Sequence, residues 1–561
     1  MMNAELFYKN FFHFKAPNSH QLQLWDLVSK LRLPALLRAP TGSGKTEAVL
    51  APFLNQFVEN DFFLAPRIIY VLPMRVLANN IANRIKKYAQ KISPHLSVEL
   101  QHGDVPNAPF FISDIIVTTL DQFLYGFARS SQQIGRHIDI PAGSIASSFI
   151  VFDEAHMYRD GFTFSIMRAL MEILHKSHIP FVLMTATMPE TLEDSLFENI
   201  PLSDNQKVIS NNTTLNSTLK VALEENPLYS NDDFNISEKL LNRIRKHKTL
   251  IILNQVKRAQ KVYEEVKSRL ELDESQIVLL HSRFTKADRK KHEEDALALI
   301  PHKEDGKITI PKGIGIVIST QVLEAGIDFS AELLLTELSP ADSLIQRAGR
   351  CARYEGEKGE MIIFPVEDDK GHLPYEKEHL LKTLEWLQKN ENFNIRNFEA
   401  VCSFVNETLD YQANDYEARD TLIDLYECVL YADSEPRNIQ LRDSKPATLV
   451  ILDICSSGKG KKEQKIEDVV LGVDLKEESI SVDVGIVWGL FKDGHIQWEI
   501  QWKEWKDEKG KIHKVKIIDL LKNKKTKDEK DTRIGPFRTY IIESNNYKKD
   551  KGIYPDVSFI I

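Results

Sequence analysis

Residues Ala39-Pro40-Thr41-Gly42-Ser43-Gly44-Lys45-Thr46 have the composition of a loop that holds phosphate. Its glycines let backbone N–H groups close around phosphate oxygens, Lys45 can reach the β- and γ-phosphates, and the Thr46 hydroxyl can hold Mg²⁺. The loop departs from the usual pattern at its first position, where Ala39 replaces glycine. Further along, the apolar run Phe149-Ile150-Val151-Phe152 leads into Asp153-Glu154-Ala155-His156. Two carboxylates at the end of a buried strand can hold a metal and orient water. Either segment alone is compatible with an ordinary structural turn. In this order and spacing they point to hydrolysis of a nucleoside triphosphate.

The elements around these residues fit that chemistry. Ala35-Leu36-Leu37-Arg38 precedes the phosphate loop as a strand, and Thr46 to Val58 reads as the helix after it. Arg67 to Pro73, Ile115 to Thr118, Phe149 to Phe152 and Phe181 to Thr185 are further strand-like runs, with a helix from about Val76 to Ser93. Continuous β-branched runs separated by helices imply a parallel sheet covered on both faces. Ligands bind at the carboxyl ends of such strands, where the phosphate loop, the acidic pair and Thr185-Ala186-Thr187 all fall. The polar stretch from Ser203 to Ser217 reads as a linker. A second αβ alternation follows, with strands at Thr249–Leu253, Ile277–His281, Lys312–Thr320 and Leu333–Glu337 and a helix from Val256 to Leu270. Residues from about Tyr375 to Asp433 look helical, and short alternating runs after Thr448 (Ser479 to Trp488, Gln497 to Trp502) suggest strands. Trp488, Trp498, Trp502 and Trp505 form either a base-stacking platform or a small core.

At 561 residues the chain fits two or three domains, and 42% hydrophobic with 27% charged residues is a globular composition. No run approaches the roughly eighteen apolar residues of a membrane span, and Phe11-Phe12-His13-Phe14 lacks the features of a signal peptide. Cys351, Cys402, Cys428 and Cys455 are widely spaced, which suggests incidental thiols in a reducing cytoplasm rather than disulfides or a zinc site. The formal net charge of −9 does not exclude nucleic acid, because a positive groove can lie within an acidic protein. The basic clusters at Lys459–Lys462 and Lys522–Lys525 alternate with acids and read as solvated loops.

The second half carries Gln346-Arg347-Ala348-Gly349-Arg350-Cys351-Ala352-Arg353, whose arginines at i, i+3 and i+6 are expected on nearly one face of a helix. Rigid guanidinium forks suit phosphate oxygens. Together with the phosphate loop, the acidic pair, Thr185-Ala186-Thr187 and Ser319 to Asp328, this segment resembles motifs I, II, III, V and VI of superfamily 2 helicases. Pro17-Asn18-Ser19-His20-Gln21 sits where those proteins carry an adenine-reading glutamine, with Gln23 as the competing candidate. Leu72 to Leu77 resembles motif Ia. Ala39 to Ala48, Val151 to Tyr158, Met184 to Pro189 and Leu280-His281-Ser282-Arg283-Phe284 are similar to the CRISPR-associated helicases of type I interference. Tyr547-Lys548-Lys549-Asp550-Lys551-Gly552-Ile553 resembles the tyrosine–glycine signature of that family's C-terminal domain.

The resemblance implies an α/β fold of two tandem RecA-like parallel-sheet domains, residues 1–212 and 213–374, followed by a smaller mixed α+β part, 375–561. It implies ATP and Mg²⁺ as ligands. Gln21, Thr41, Gly42, Ser43, Gly44, Lys45, Thr46 and Asp328 would bind the nucleotide. Thr46 and Asp153 would hold the metal, and Glu154 would deprotonate water. Arg350 and Arg353 would stabilise the γ-phosphate as arginine fingers. His156, Thr185, Thr187 and Arg347 would couple hydrolysis to domain movement, with strand-end capping an equal alternative for the threonines. Arg75, Thr119, Asn254, Arg283 and Thr320 match places that touch strand phosphates. Family members often begin with a nuclease domain built on a His-Asp pair, and that dipeptide occurs nowhere here. The expectation is therefore an ATP-driven 3′-to-5′ single-stranded DNA translocase of CRISPR interference, partnered by a surveillance complex and a separate nuclease subunit. An RNA helicase and a nucleic-acid-stimulated switch that never unwinds are the alternatives.

Overall fold

The computed structural model describes residues 3–554 except 41, 104, 130–133, 135–136, 159–160, 211–216, 231–232, 305–306, 325–327, 367–370, 411–445, 454–465, 473, 476, 507–511 and 522–532. Thr41, Ala325 to Ile327, Cys428, Cys455, both lysine clusters and the helical expectation beyond residue 410 lie outside the described residues. The chain divides into two compact units. One comprises Met1–Ser217, Pro340–Gly349 and Glu378–Asp443; the other comprises Thr218–Ser339, Arg350–Lys377 and Ser444–Ile561.

The first unit is built on an eight-stranded sheet. Its strands are β1 (Ala35–Arg38), β2 (Ile68–Leu72), β3 (Val98–His102), β4 (Val105–Pro106), β5 (Ile115–Thr119), β6 (Phe149–Phe152), β7 (Phe181–Thr185) and β8 (Lys207–Ile209). They run in the order β4-β3-β5-β2-β6-β7-β1-β8, parallel except at the β3–β4 pair. Every residue of β1, β2, β5, β6 and β7 is buried, which is why these runs are apolar without alternation. Two cores line the faces, one around Ile69, Ile150 and Leu183, the other around Leu37, Tyr70 and Val151. The stretch expected as a linker contributes β8, which pairs with β1 from Lys207 to Ile209. An edge strand needs only one apolar face, and Val208 alone of its three residues is buried. That gives too short a pattern to stand out in sequence.

The second unit repeats the design with β9 (Thr218–Leu223), the hairpin β10 (Tyr229–Ser230) and β11 (Asp233–Phe234), β12 (Thr249–Ile252), β13 (Ile277–Leu280), the hairpin β14 (His302–Glu304) and β15 (Lys307–Thr309), β16 (Ile316–Ser319), β17 (Leu333–Glu337) and β18 (Lys358–Phe364). Six of these form a parallel sheet in the order β13-β16-β12-β17-β18-β9. The same unit holds a five-stranded mixed sheet of β19 (Pro446–Leu452), β20 (Ser479–Asp483), β21 (Ile496–Lys506), β22 (Ile512–Asp519) and β23 (Thr539–Glu543), in the order β20-β19-β23-β21-β22. Last comes a small hairpin of β24 (Tyr547–Lys548) and β25 (Gly552–Ile553). The strand expected from Ser479 to Trp488 stops at Asp483, whose side chain accepts the Gly485 N–H and caps a helix, Val484–Lys492. Trp488 and Trp498 pack against two different small cores, and Trp502 is exposed. These three do not make one platform.

Candidate nucleotide site

The phosphate loop joins β1 to the helix Lys45–Glu59, and its glycines take backbone angles that side chains avoid. Gly44 has φ 87°, and a Cβ there would lie 2.4 Å from Gln21 Nε2. Gln21 occupies that space to hold the loop. Its Nε2 donates to the Gly44 carbonyl at 3.1 Å and its Oε1 accepts the Asn18 N–H at 2.8 Å, while Asn18 Nδ2 donates to the Ser43 carbonyl at 3.0 Å. Gln21 is buried and Gln23 exposed, so of the two candidates Gln21 sits at the loop. Lys45 Nζ donates to the Ala39 carbonyl at 3.1 Å. Ser43 Oγ is buried without a hydrogen-bond partner among the described residues, and a Cβ on Gly42 would meet nothing within 4 Å. A buried ammonium, an orphaned hydroxyl and an open glycine face are what a phosphate group would satisfy.

Asp153 follows β6, with its N–H on the Val71 carbonyl at 3.0 Å. Its Oδ1 accepts the Glu154 N–H at 2.8 Å, and its Oδ2 accepts the Tyr70 hydroxyl at 2.5 Å. Tyr70 OH also lies 3.3 Å from Thr46 Oγ1, so one phenol in the middle of β2 links the two residues expected to hold the metal. A hydroxyl and a carboxylate so linked are hard oxygen donors suited to Mg²⁺. Burial and then the neighbouring Glu154 carboxylate push the Asp153 carboxyl up to about 6, against the opposing Lys45 ammonium and Tyr70 hydroxyl. Burial pushes the Tyr70 phenol far up, so it stays a donor. Glu154 itself has φ 52°, and its side chain remains 22% exposed, within reach of water.

A second polar chain runs from His156. Its Nδ1 lies 3.1 Å from Thr185 Oγ1 and 3.6 Å from Glu154 Oε2, and its Nε2 lies 2.7 Å from Gln346 Nε2. An amide nitrogen can only donate, so His156 Nε2 accepts and Nδ1–H faces Thr185. Thr187 Oγ1 is buried without a partner among the described residues. Sequence reasoning assigned no role to Gln346 or Tyr70. Gln346 stands in a quoted motif and was findable; Tyr70 stands in an apolar strand, where nothing marks its hydroxyl. Glu47 was missed in the same way: fully buried in the first helical turn, it pairs with Arg84 and accepts the Tyr88 hydroxyl at 2.6 Å.

The three arginines do not share a helix face. The helix is Ala341–Ala348, so only Arg347 lies on it, fully buried. Gly349 is a poor helix former, and beyond it the backbone turns to other partners: the Arg350 carbonyl accepts the Ala331 N–H at 2.9 Å and the Ala331 carbonyl accepts the Ala352 N–H at 2.9 Å. Arg350 donates through Nε to the Leu323 carbonyl and through Nη2 to the Glu324 carbonyl, both at 2.9 Å. Arg353 Nε lies 2.8 Å from Asp328 Oδ1, which also accepts the Tyr354 hydroxyl at 3.2 Å. Arg347 falls in the first unit, with His156 and Gln346; Arg350, Arg353 and Asp328 fall in the second.

Of the residues expected on nucleic acid, Arg75 is exposed while Thr119, Asn254, Arg283 and Thr320 are buried. Asn254 is used internally, its Nδ2 donating to the Leu338 carbonyl at 2.9 Å and its N–H to Glu337 Oε2 at 2.7 Å.

A parallel sheet bearing a phosphate loop and an acidic pair, with His156 bridging Thr185 and Gln346, is a nucleoside-triphosphate site, and its likeness to known proteins makes it that of an ATP-dependent helicase of superfamily 2. Consistent with this, residues 18–195 match the DEAD/DEAH box helicase model, and residues 245–356 match the model described as CRISPR-associated nuclease/helicase Cas3, C-terminal. The CRISPR-associated helicase Cas3 of Thermoproteus tenax is 30% identical over 481 residues, covering 81% of this chain and 78% of that one. The chain belongs to the CRISPR-associated Cas3 helicase family. A crystal structure of T. fusca Cas3 with AMPPNP superposes with TM-score 0.63 at 22% identity, covering 85% of this chain and 65% of that one. A chain of a CRISPR RNA-guided surveillance complex in a pre-nicking state superposes with TM-score 0.57 at 19% identity, covering 94% of this chain and 67% of the other. The chain spans about half the length of the curated nuclease/helicase relatives it matches, 42–51%. Among the described residues no helix is long and apolar enough to cross a membrane.

Proposed function

We propose that the protein is an ATP-driven motor that moves 3′-to-5′ along single-stranded DNA in type I CRISPR interference. The observation that carries this reading is the pair of polar chains that meet at the acidic segment: Thr46–Tyr70–Asp153 on one side, Glu154 beside His156, Thr185 and Gln346 on the other. A change at the phosphates is thereby within two or three hydrogen bonds of groups outside the loop.

Lys45 and the loop N–H groups would bind the ATP phosphates, and Gln21 would hold the loop open. Thr46 and Asp153 would hold Mg²⁺, which when bound supplies charge neutralisation on the phosphates. Glu154 orients water and takes its proton; His156 senses that carboxylate and passes the change to Thr185 and Gln346. Arg350 and Arg353 are proposed to meet charge developing on the γ-phosphate, an effect worth about 10³-fold or more in rate. Asp328 would contact the ribose, and Arg75, Thr119, Asn254, Arg283 and Thr320 would line the strand path.

The partners we propose are a CRISPR surveillance complex, which delivers the strand, and a nuclease on another polypeptide, all in the cytoplasm. Support for the division of labour is that the T. tenax relative, 78% of which this chain matches, is named a helicase.

The test is ATP hydrolysis with and without single-stranded DNA or RNA, followed by displacement of strands with 3′ or 5′ overhangs, with Lys45→Ala as control. Stimulation by DNA and displacement from a 3′ overhang are expected. Stimulation by RNA alone would make this an RNA helicase. Stimulation without displacement would make it a switch.

A further inference from the structure

The hairpin of β24 and β25 has chemistry that the nucleotide site does not use. It pairs Tyr547 with Ile553 and Lys548 with Gly552, and its turn points carbonyl oxygens at two histidines. His281 Nε2 lies 2.9 Å from the Lys551 oxygen, and His292 Nε2 lies 2.8 Å from the Lys549 oxygen. Gln260 Nε2 donates to the Lys551 and Ile553 carbonyls at 2.6 and 2.8 Å. Tyr547 OH donates to Asp288 Oδ2 at 2.6 Å and accepts the Thr285 N–H at 3.2 Å. These partners all belong to the loop and helices around His281-Ser282-Arg283-Phe284.

Both backbone polar groups of Arg283 depend on this docking. The Arg283 N–H donates to His281 Nδ1 at 3.1 Å, and the Arg283 carbonyl accepts the Ile553 N–H at 3.1 Å. His281 is thus neutral with its proton on Nε2, the nitrogen facing the hairpin, and Phe284 stacks on its ring at 4.3 Å between centroids. Gly552, with φ 71°, makes the approach possible: a Cβ there would lie 2.5 Å from the Arg283 carbonyl oxygen and 2.7 Å from His281 Cε1. Backbone on one side and a fully buried ring on the other leave no flexible group to move aside.

We infer that the hairpin Tyr547–Ile553 is a brace that positions the Arg283 loop for the phosphodiester backbone of a single strand, with Tyr547 and Gly552 as positioning residues. The strand grip of the second unit then depends on the C-terminal sheet from which the hairpin extends. The outward residues here are Ser282 in the loop and Lys286 at the start of the helix Lys286–Leu299, a hydroxyl and an ammonium suited to phosphate. This rests on the proposed strand-contact role of the loop.

The test uses the full chain with Gly552→Val, Gly552→Ala and Tyr547→Phe. Readouts are the oligothymidylate concentration that half-saturates ATPase stimulation, the unstimulated turnover and KM for ATP, and amide exchange of residues 281–285. Gly552→Val is expected to raise the half-saturating concentration about tenfold, the equivalent of one charge-assisted hydrogen bond. Gly552→Ala should fall between it and the parent, unstimulated turnover and KM for ATP should stay at parent values, and exchange at 281–285 should quicken. Unchanged exchange at 281–285 overturns the brace. Quickened exchange with an unchanged half-saturating concentration overturns its link to the strand. If Gly552→Val does not fold, Tyr547→Phe decides: a two- to threefold rise, about half of one hydrogen bond's effect, supports the proposal and no rise overturns it. A parent that oligothymidylate does not stimulate sinks the motor reading instead, and exchange then decides the brace alone.

Discussion

Replacing Glu154 by Gln removes the carboxylate expected to deprotonate water but leaves the backbone N–H that holds Asp153 Oδ1. Nucleotide affinity should stay within about twofold of the parent while kcat falls by about 10²–10⁴. Equilibrium binding of ATP beside steady-state hydrolysis separates the two, and a Glu154→Gln variant that keeps its kcat removes Glu154 from the chemistry. Tyr70→Phe tests a residue that only the fold identifies. It strips Asp153 Oδ2 and Thr46 of a shared partner in a fully buried position, which costs about 1–3 kcal/mol. We expect a lower urea midpoint and a higher half-saturating Mg²⁺ concentration. If neither moves, the phenol has no part in arranging the metal ligands.

At the scale of elements, the helix Val256–Arg269 is tied to the end of β17 by one buried ion pair. Arg258 Nη1 lies 2.8 Å from Glu337 Oε1, with side chains 4% and 2% exposed, and Glu337 Oε2 takes the Asn254 N–H. Glu337→Ala removes the carboxylate that pairs with a buried guanidinium and a buried amide N–H, so the loss should be about 3–5 kcal/mol by urea denaturation. A loss below about 1 kcal/mol would mean that the guanidinium reaches water in the variant. Strands β1, β2, β5, β6, β7, β12, β13, β16 and β17 were legible because burial on both faces demands uninterrupted apolar runs, whereas β3, β4, β8, β9 and β18 were not. A helix was expected through Gln346 to Arg353, but the helix runs Ala341–Ala348, so its start went unread and its end was misplaced. Spacing of Arg347, Arg350 and Arg353 fits helical periodicity, but Gly349 and the backbone bonds between Arg350, Ala331 and Ala352 end the helix at Ala348.

At the scale of the whole molecule, two buried histidines make the fold sensitive to acid. Burial first, then the Arg283 guanidinium, pushes the His281 imidazole down to about 3, with His292 and Arg289 acting the same way and the Lys551 carbonyl opposing. Burial likewise pushes His20, beside the phosphate loop, down to about 4. An unfolded histidine titrates near about 6.5, so between these values the unfolded chain binds protons that the folded chain refuses. The histidine contribution to stability is therefore full above about pH 6.5 and is lost as pH falls, at up to about 1.4 kcal/mol per pH unit for His281 alone, while the raised Asp153 carboxyl acts in the opposite sense below about pH 6. Urea midpoints of the parent should fall between about pH 7 and about pH 4.5, and the His281→Gln variant should fall less. Equal slopes would mean that His281 is open to solvent in the folded protein.

The central strands of the two parallel sheets, the phosphate loop, the acidic pair and the family resemblance were readable from sequence alone, because each rests on residues adjacent in the chain and on local backbone chemistry. Gly44 and Lys45 must be neighbours to wrap phosphate, and a buried strand must be continuously apolar. Only the tertiary structure decided which hydroxyl stands between Thr46 and Asp153, that Gln21 rather than Gln23 holds the loop, and that Arg350 and Arg353 leave the helix. It also seated Tyr547 and Gly552 on the Arg283 loop. Those partners are separated by tens to hundreds of residues, and a hydrogen bond is chosen by where the packed core puts donor and acceptor, which no local pattern encodes.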